Sequence, residues 1–161
     1  MSSQDDLAAV GALARGDLAA WSGLPAGLTL GALTDALGPP GDEEAGRVGG
    51  QPATFRVFPP ATAAPFGIKA WLAGDEVWLL EVREPPLVVP LAEQLGEPEA
   101  RAPSGLGTSY EQRVYGTRGL LLHVSRVTDE VRRLYAFAPA PADEVLAGPL
   151  GRVEERRVPR R

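Results

Sequence analysis

The chain has 161 residues, 44% hydrophobic and 23% charged, with a formal net charge of −5; this balance suits one globular domain, or two small halves sharing a core, and argues against wholesale disorder. It has no cysteine and a single histidine, His123, which excludes disulfides, thiolate chemistry, cysteine-ligated metals and a multi-histidine metal site within one chain, so no cofactor is expected. An acidic chain makes a poor general nucleic-acid binder, and no apolar run approaches the roughly 18 residues of a membrane span.

Met1 to Asp6 is polar and acidic, without the basic and apolar regions of a signal peptide, so a cytoplasmic protein is expected. Lys69 is the only lysine; arginine supplies the other basic side chains, a bias typical of GC-rich bacterial genes. Asp5 to Trp21 reads as helix, with Leu7, Val10, Leu13, Leu18 and Trp21 near helical spacing and a break at Gly16-Asp17. A second helix opens at Thr29 as N-cap, puts Leu30, Leu33 and Leu37 on one face, and stops at Gly38 and the prolines beyond. Pro39 to Pro52 reads as loop. Three strands follow: Thr54 to Phe58, Gly67 to Ala73 and, after a Gly74-Asp75 turn, Glu76 to Val82. The order then restarts with a helix over Leu87, Leu91 and Leu95 and strands at Gln112–Tyr115, Gly119–Arg126 and Glu130–Phe137; Ala142 to Ala147 forms a last helical turn.

The two halves match in sequence. Leu33, Leu37, Gly38 and Pro40 recur as Leu91, Leu95, Gly96 and Pro98; Arg56-Val57-Phe58 recurs as Arg113-Val114-Tyr115; Asp75-Glu76-Val77 recurs as Asp129-Glu130-Val131. Pro59 to Pro65 is then an insertion in the first copy. Such self-similarity points to a duplicated unit. The first copy, Gly27-x-Thr29-x-x-x-Leu33-x-x-x-Leu37-Gly38-x-Pro40 followed by strands, resembles the signature of the BamE/SmpA-OmlA family, whose fold is shared with the tandem-domain β-lactamase inhibitory proteins. The resemblance implies two helices packed on a three- or four-stranded antiparallel sheet and, in tandem, one long concave sheet that grips a protein.

The expected fold is therefore α+β: two tandem helix-plus-antiparallel-sheet repeats, residues 1–85 and 86–150, sharing one continuous sheet with one open face, followed by a basic flexible tail at 151–161. Alternation places Ile68, Ala70, Leu72, Leu120, Leu122 and Val124 in the core, with Phe55, Val57 and Val114. The last strands add Leu80, Leu134, Val82 and Ala136 to the core, and Trp78 to the same side. The open face then carries Arg56, Phe58, Trp71, Arg113, Tyr115, His123, Arg133 and Tyr135, an aromatic and arginine composition typical of protein-interface anchors.

No nucleophile elbow, phosphate loop or dinucleotide fingerprint occurs, and a lone strand histidine lacks the orienting partner and nucleophile of a catalytic set. Asp75-Glu76 and Asp129-Glu130 read as turn residues. The function expected is non-catalytic binding of another protein through the open face, as an inhibitor or immunity-type module or as a homodimer contact. The alternatives are a small-molecule binder or enzyme using the cleft between the repeats, lined by Trp78, Tyr135 and Phe137, and a structural subunit of a larger bacterial assembly.

Overall fold

Helix α1 (Gln4–Ala14) stops short of Trp21, because Gly16 turns the backbone to φ +84° and the chain then runs irregularly to Leu28. The computed structural model describes residues 4–59 and 67–151; the expected insertion at 59–65 and the basic tail fall largely outside them. Helix α2 (Leu30–Leu37) begins where Thr29 accepts the Ala32 N–H on its hydroxyl at 3.2 Å and ends where Gly38 returns its N–H to Thr34 O.

The segment expected as loop after Pro39 instead forms an edge hairpin, β1 (Glu44–Val48) and β2 (Gln51–Phe58). Gly49 and Gly50, at φ +56° and +79°, supply the two left-handed residues that a tight hairpin demands. Strands β3 (Ile68–Ala73) and β4 (Glu76–Arg83) form the next hairpin. Helix α3 (Leu91–Leu95) is only five residues long, bracketed by Pro90 and by Gly96 at φ +70°. Strands β5 (Ala100–Pro103), β6 (Tyr110–Tyr115), β7 (Leu120–Ser125) and β8 (Val131–Ala136) follow, then helix α4 (Ala142–Ala147) and a 3-10 turn, Pro149–Gly151.

All eight strands pair antiparallel in a single sheet of order β1-β2-β3-β4-β8-β7-β6-β5. This corrects the α+β expectation of two helix-plus-sheet repeats: the protein is mostly β, one sheet with few short helices. The joint is a ladder between β4 and β8, with Leu80 opposite Ala136 and Val82 opposite Leu134. One core cluster therefore runs from Val10 and Leu33 through Leu80 and Val82 to Leu122 and Leu134, with Trp21 laid in beside them. Gln94 clasps the N-terminal segment to α3: its amide donates to Gly16 O and Val89 O, and its carbonyl accepts the Leu18 N–H.

The opposite sheet face has its own apolar cluster, Val48, Trp71, Leu79, Val114, Leu121, Phe137 and Val145. Helix α4 and the 3-10 turn supply its cover near β5 and β6, and the β1–β2 hairpin meets them: a Cβ added at Gly49 would lie 2.4 Å from Pro149 O. The β1–β2 hairpin and the 3-10 turn thus meet over this face and leave a hollow between them and the sheet, which makes the face concave.

Candidate functional site

In an antiparallel pair, residues directly opposite one another share a face. The register therefore lays out the concave face in rows. One row crosses Lys69, Glu81, Tyr135, Leu121 and Val114; the next crosses Arg83, Arg133, His123 and Gln112; Phe55, Trp71 and Leu79 form a third. Between these rows and the walls lies a groove of about 320 Å³. Its floor is Phe55, Lys69, Trp71, Glu81, His123, Arg133 and Tyr135; its walls are Gly46–Gly49, Gly105-Leu106 and Pro149-Leu150.

The floor is tightly knit. The Phe55 and Trp71 rings lie 4.8 Å apart, and Lys69 Nζ sits over both, at 4.3 Å from Phe55 and 5.5 Å from Trp71. The Trp71 indole N–H donates to Glu81 at 3.1 Å, and Arg133 Nε lies 3.7 Å from the same carboxylate. Ser104 Oγ accepts the Leu106 N–H at 3.1 Å and shares a hydrogen bond with His123 Nδ1 at 2.7 Å, while Tyr135 meets the imidazole edge-on at 5.9 Å. Burial, and then the positive charge of Arg133, push the His123 pKa down to about 4, so the ring is neutral at neutral pH.

The register divides the eight residues expected to bind a partner. Trp71, His123, Arg133 and Tyr135 come together in the groove. Arg56, Phe58, Arg113 and Tyr115 lie on the helix-side face instead, opposite Ala70, Ile68, Leu122 and Leu120. Phe55, Val57 and Val114, expected in that core, stand on the concave face. The reason is phase: a one-residue shift in a strand exchanges its two faces, and nothing local in β2 or β6 fixes which ring must point inward. Phe58 and Tyr115 are buried at 1% and 3% exposure, and the Tyr115 hydroxyl donates to Gly96 O. Arg56 Nε donates to Gly41 O, and Arg113 bonds Glu111 and Asp129.

Trp71, expected to be open, is also sealed, at 3% exposure. Edge strand β1 lies on its ring so closely that a Cβ at Gly46 would come within 2.8 Å of it. Trp78 and Phe137, expected with Tyr135 to line a cleft, pack in the second cluster outside the groove. Trp78 leaves its expected side because it is the extra residue of a bulge where Leu79 and Val77 oppose the consecutive Trp71 and Leu72; Arg132 holds the equivalent place in β8.

Ser104, the Gly105-Leu106 wall and Arg83 are not among the residues expected at the site. Arg83 carried a signal, standing two residues beyond Glu81 on the same strand face. A second depression, about 570 Å³, lies along Pro85–Leu91 and Thr128–Arg132, with Val88 and Val89 exposed beside it. Among the described residues no group of three or more His, Cys, Asp or Glu is arranged to hold a metal ion, and no helix is long and apolar enough to cross a membrane.

No family model and no curated protein matches the chain. Among solved structures, it is similar to the DUF4309 family protein YjgB from Bacillus subtilis, at 16% sequence identity and a TM-score of 0.47, over 84% of this chain and 99% of that one.

Proposed function

We propose that this chain is a non-catalytic binding protein that holds a small ligand in the groove on its concave sheet face. The observation that carries the reading is the floor: aromatic rings and four polar or charged side chains, Lys69, Glu81, His123 and Arg133, converge at the middle of a walled sheet face. Binding sites combine apolar walls with a few oriented polar groups, in volumes of roughly 300–1,000 Å³. A broad protein-gripping surface is less well supported, since half of its expected anchors lie on the other face and Trp71 is covered. Against catalysis, burial and the charge of Arg133 hold the His123 pKa at about 4, well below the near-neutral value that suits a general base. The second reading, a protein partner seated along Pro85–Pro90, is favoured by the exposure of Val88 and Val89, 59% and 42%.

A thermal-shift screen of fragment-sized aromatic acids, amides and amines tests the choice. Compounds that raise the melting temperature of the wild type should fail on Leu106→Trp, which fills the groove from its wall, and still act on Val88→Glu. Retention of the shift by Leu106→Trp, or its loss in Val88→Glu alone, would move the site away from the groove.

A further inference from the structure

We infer that Lys69 is the anchor for a ligand oxyanion, the carboxylate or phosphate of a fragment-sized molecule whose apolar body lies along Tyr135, Leu106 and Leu150. This anchor rests on the groove reading above and adds the ligand's chemistry. Opposite charges directly across two neighbouring strands ordinarily attract and stabilise the sheet. Lys69 and Glu81 stand so on β3 and β4, yet they do not pair. The Glu81 carboxylate is turned to the Trp71 indole N–H at 3.1 Å and to Arg133 Nε at 3.7 Å. The Lys69 ammonium rests instead on the Phe55 and Trp71 rings, half-buried on the groove floor.

Ring faces attract a cation, but they leave the three N–H donors of an ammonium without an oxygen acceptor. Among the described residues lining the groove, Lys69 is the one cation in that position. Arg47 donates to Gly50 O, Arg133 reaches Glu81, and Arg83 is engaged within the fold. Elsewhere the fold closes such pairs: Arg132 meets Glu84 at 3.6 Å, and Arg113 meets Asp129 at 2.8 Å.

The residue type points the same way. Lys69 is the chain's only lysine, and arginine fills the other strongly basic positions. A guanidinium stacks on aromatic faces at least as well, so covering Phe55 and Trp71 does not call for lysine. What lysine adds is a compact charge on a flexible stem, whose donors can swing from the rings to an anion. The field agrees in sign. The described lining of the groove carries Arg47, Lys69, Arg83 and Arg133 against the carboxylate of Glu81, in a chain whose net charge is −5. A cleft lined by one sign of charge concentrates the opposite ion. At about 320 Å³ the groove lies at the small end of ligand sites, which limits the ligand to a fragment's size.

Calorimetric titration of the full chain with four probes of one ring system provides the test: 2-naphthoate, 2-naphthyl phosphate, 2-naphthamide and 2-naphthylmethylammonium. At least one anion should bind ten-fold or more tightly than the amide and the ammonium, and the tighter of the two identifies the headgroup. Lys69→Met keeps an unbranched stem over the rings; it should weaken that anion about ten-fold and leave the amide unchanged. A second measurement needs no variant. An amine-acetylating reagent marks Lys69 alone among the side chains, since there is no other lysine. The saturating anion should slow that modification about ten-fold, while the chain's amino terminus reacts as before. Equal binding of the four probes, anion affinity unchanged in Lys69→Met, or a lysine still open to the reagent overturns the anchor and leaves the groove as a binding site. Anion binding that survives Leu106→Trp places the ligand outside the groove and overturns both readings. If no probe binds, the anchor falls, and the fragment screen above decides the groove by itself.

Discussion

His123 gives the sharpest forecast from the site, because the chain has no other histidine and its imidazole signal stands alone in a proton spectrum. Its folded-state pKa lies at about 4, below the ordinary 6.5, through burial and the charge of Arg133. As pH falls, the unfolded chain takes the proton first. The stabilisation is therefore complete above pH 6.5, is lost between 6.5 and 4, and is gone below that window. Each unit of displacement corresponds to about 1.4 kcal/mol, so the full loss is about 3 kcal/mol, and roughly 2 kcal/mol by pH 4.5 once partial solvent contact is allowed for. Carboxylates titrate in the same range, so the quantity to measure is a difference. Urea unfolding of wild type and His123→Gln at pH 7.5 and 4.5 should show the wild type losing about 2 kcal/mol more than the variant. Parallel losses in the two proteins, or an imidazole titrating near 6.5, would refute the account of the groove floor.

The remaining expectations concern the frame around the groove. Gln94→Leu removes the partners of the buried Leu18 N–H and of Gly16 O, and should cost about 2–6 kcal/mol in urea unfolding at roughly 1–3 kcal/mol per orphaned group; a loss below about 0.5 kcal/mol would show that the clasp is dispensable. For Glu111, burial would raise the carboxyl, but the bonds and charges of Arg113 and Arg101 outweigh it and hold the group below 4.5. Its stabilisation is present above 4.5 and disappears as pH drops through the lower folded value. Glu111→Gln should therefore cost about 3 kcal/mol at pH 7, by analogy with other broken buried pairs, and flatten the acid limb of a pH–stability curve; an unchanged acid limb would contradict this.

Those elements whose signals are local were legible in the sequence. Thr29 and Gly38 delimit α2 because a cap and a left-handed stop act within a few residues. The turn at Gly74 announces β3 and β4, and their alternation places Ile68, Ala70 and Leu72 in the helix-side core. Edge strand β1 escaped because Glu44–Val48 is charged and glycine-bearing, and only the paired Gly49 and Gly50 marked its hairpin. Strand β5, four residues ending in proline, is shorter than any periodicity can reveal. The faces of β2 and β6 depend on register with β3 and β7, and the β4–β8 ladder joins residues fifty or more positions apart. Arg56, Phe58, Arg113 and Tyr115 stand on the other face from the one expected for that reason, since the phase of their strands is decided only by pairing. His123, Arg133 and Tyr135 stand on the expected face, with Leu122, Val124, Leu134 and Ala136 turned to the helix-side core.

The central claim is that ligand enters the groove over His123 and Tyr135, and the Trp71 indole N–H, bonded to Glu81 of the groove floor, reports on it. Titrating the isotope-labelled chain with the fragment that most raises its melting temperature and following its nitrogen–proton spectrum tests this directly. The indole signal of Trp71 and the amides of Lys69, His123 and Arg133 should shift together along one saturating curve. Shifts confined to Val88, Val89 and their neighbours, with the Trp71 indole unmoved, would contradict the account.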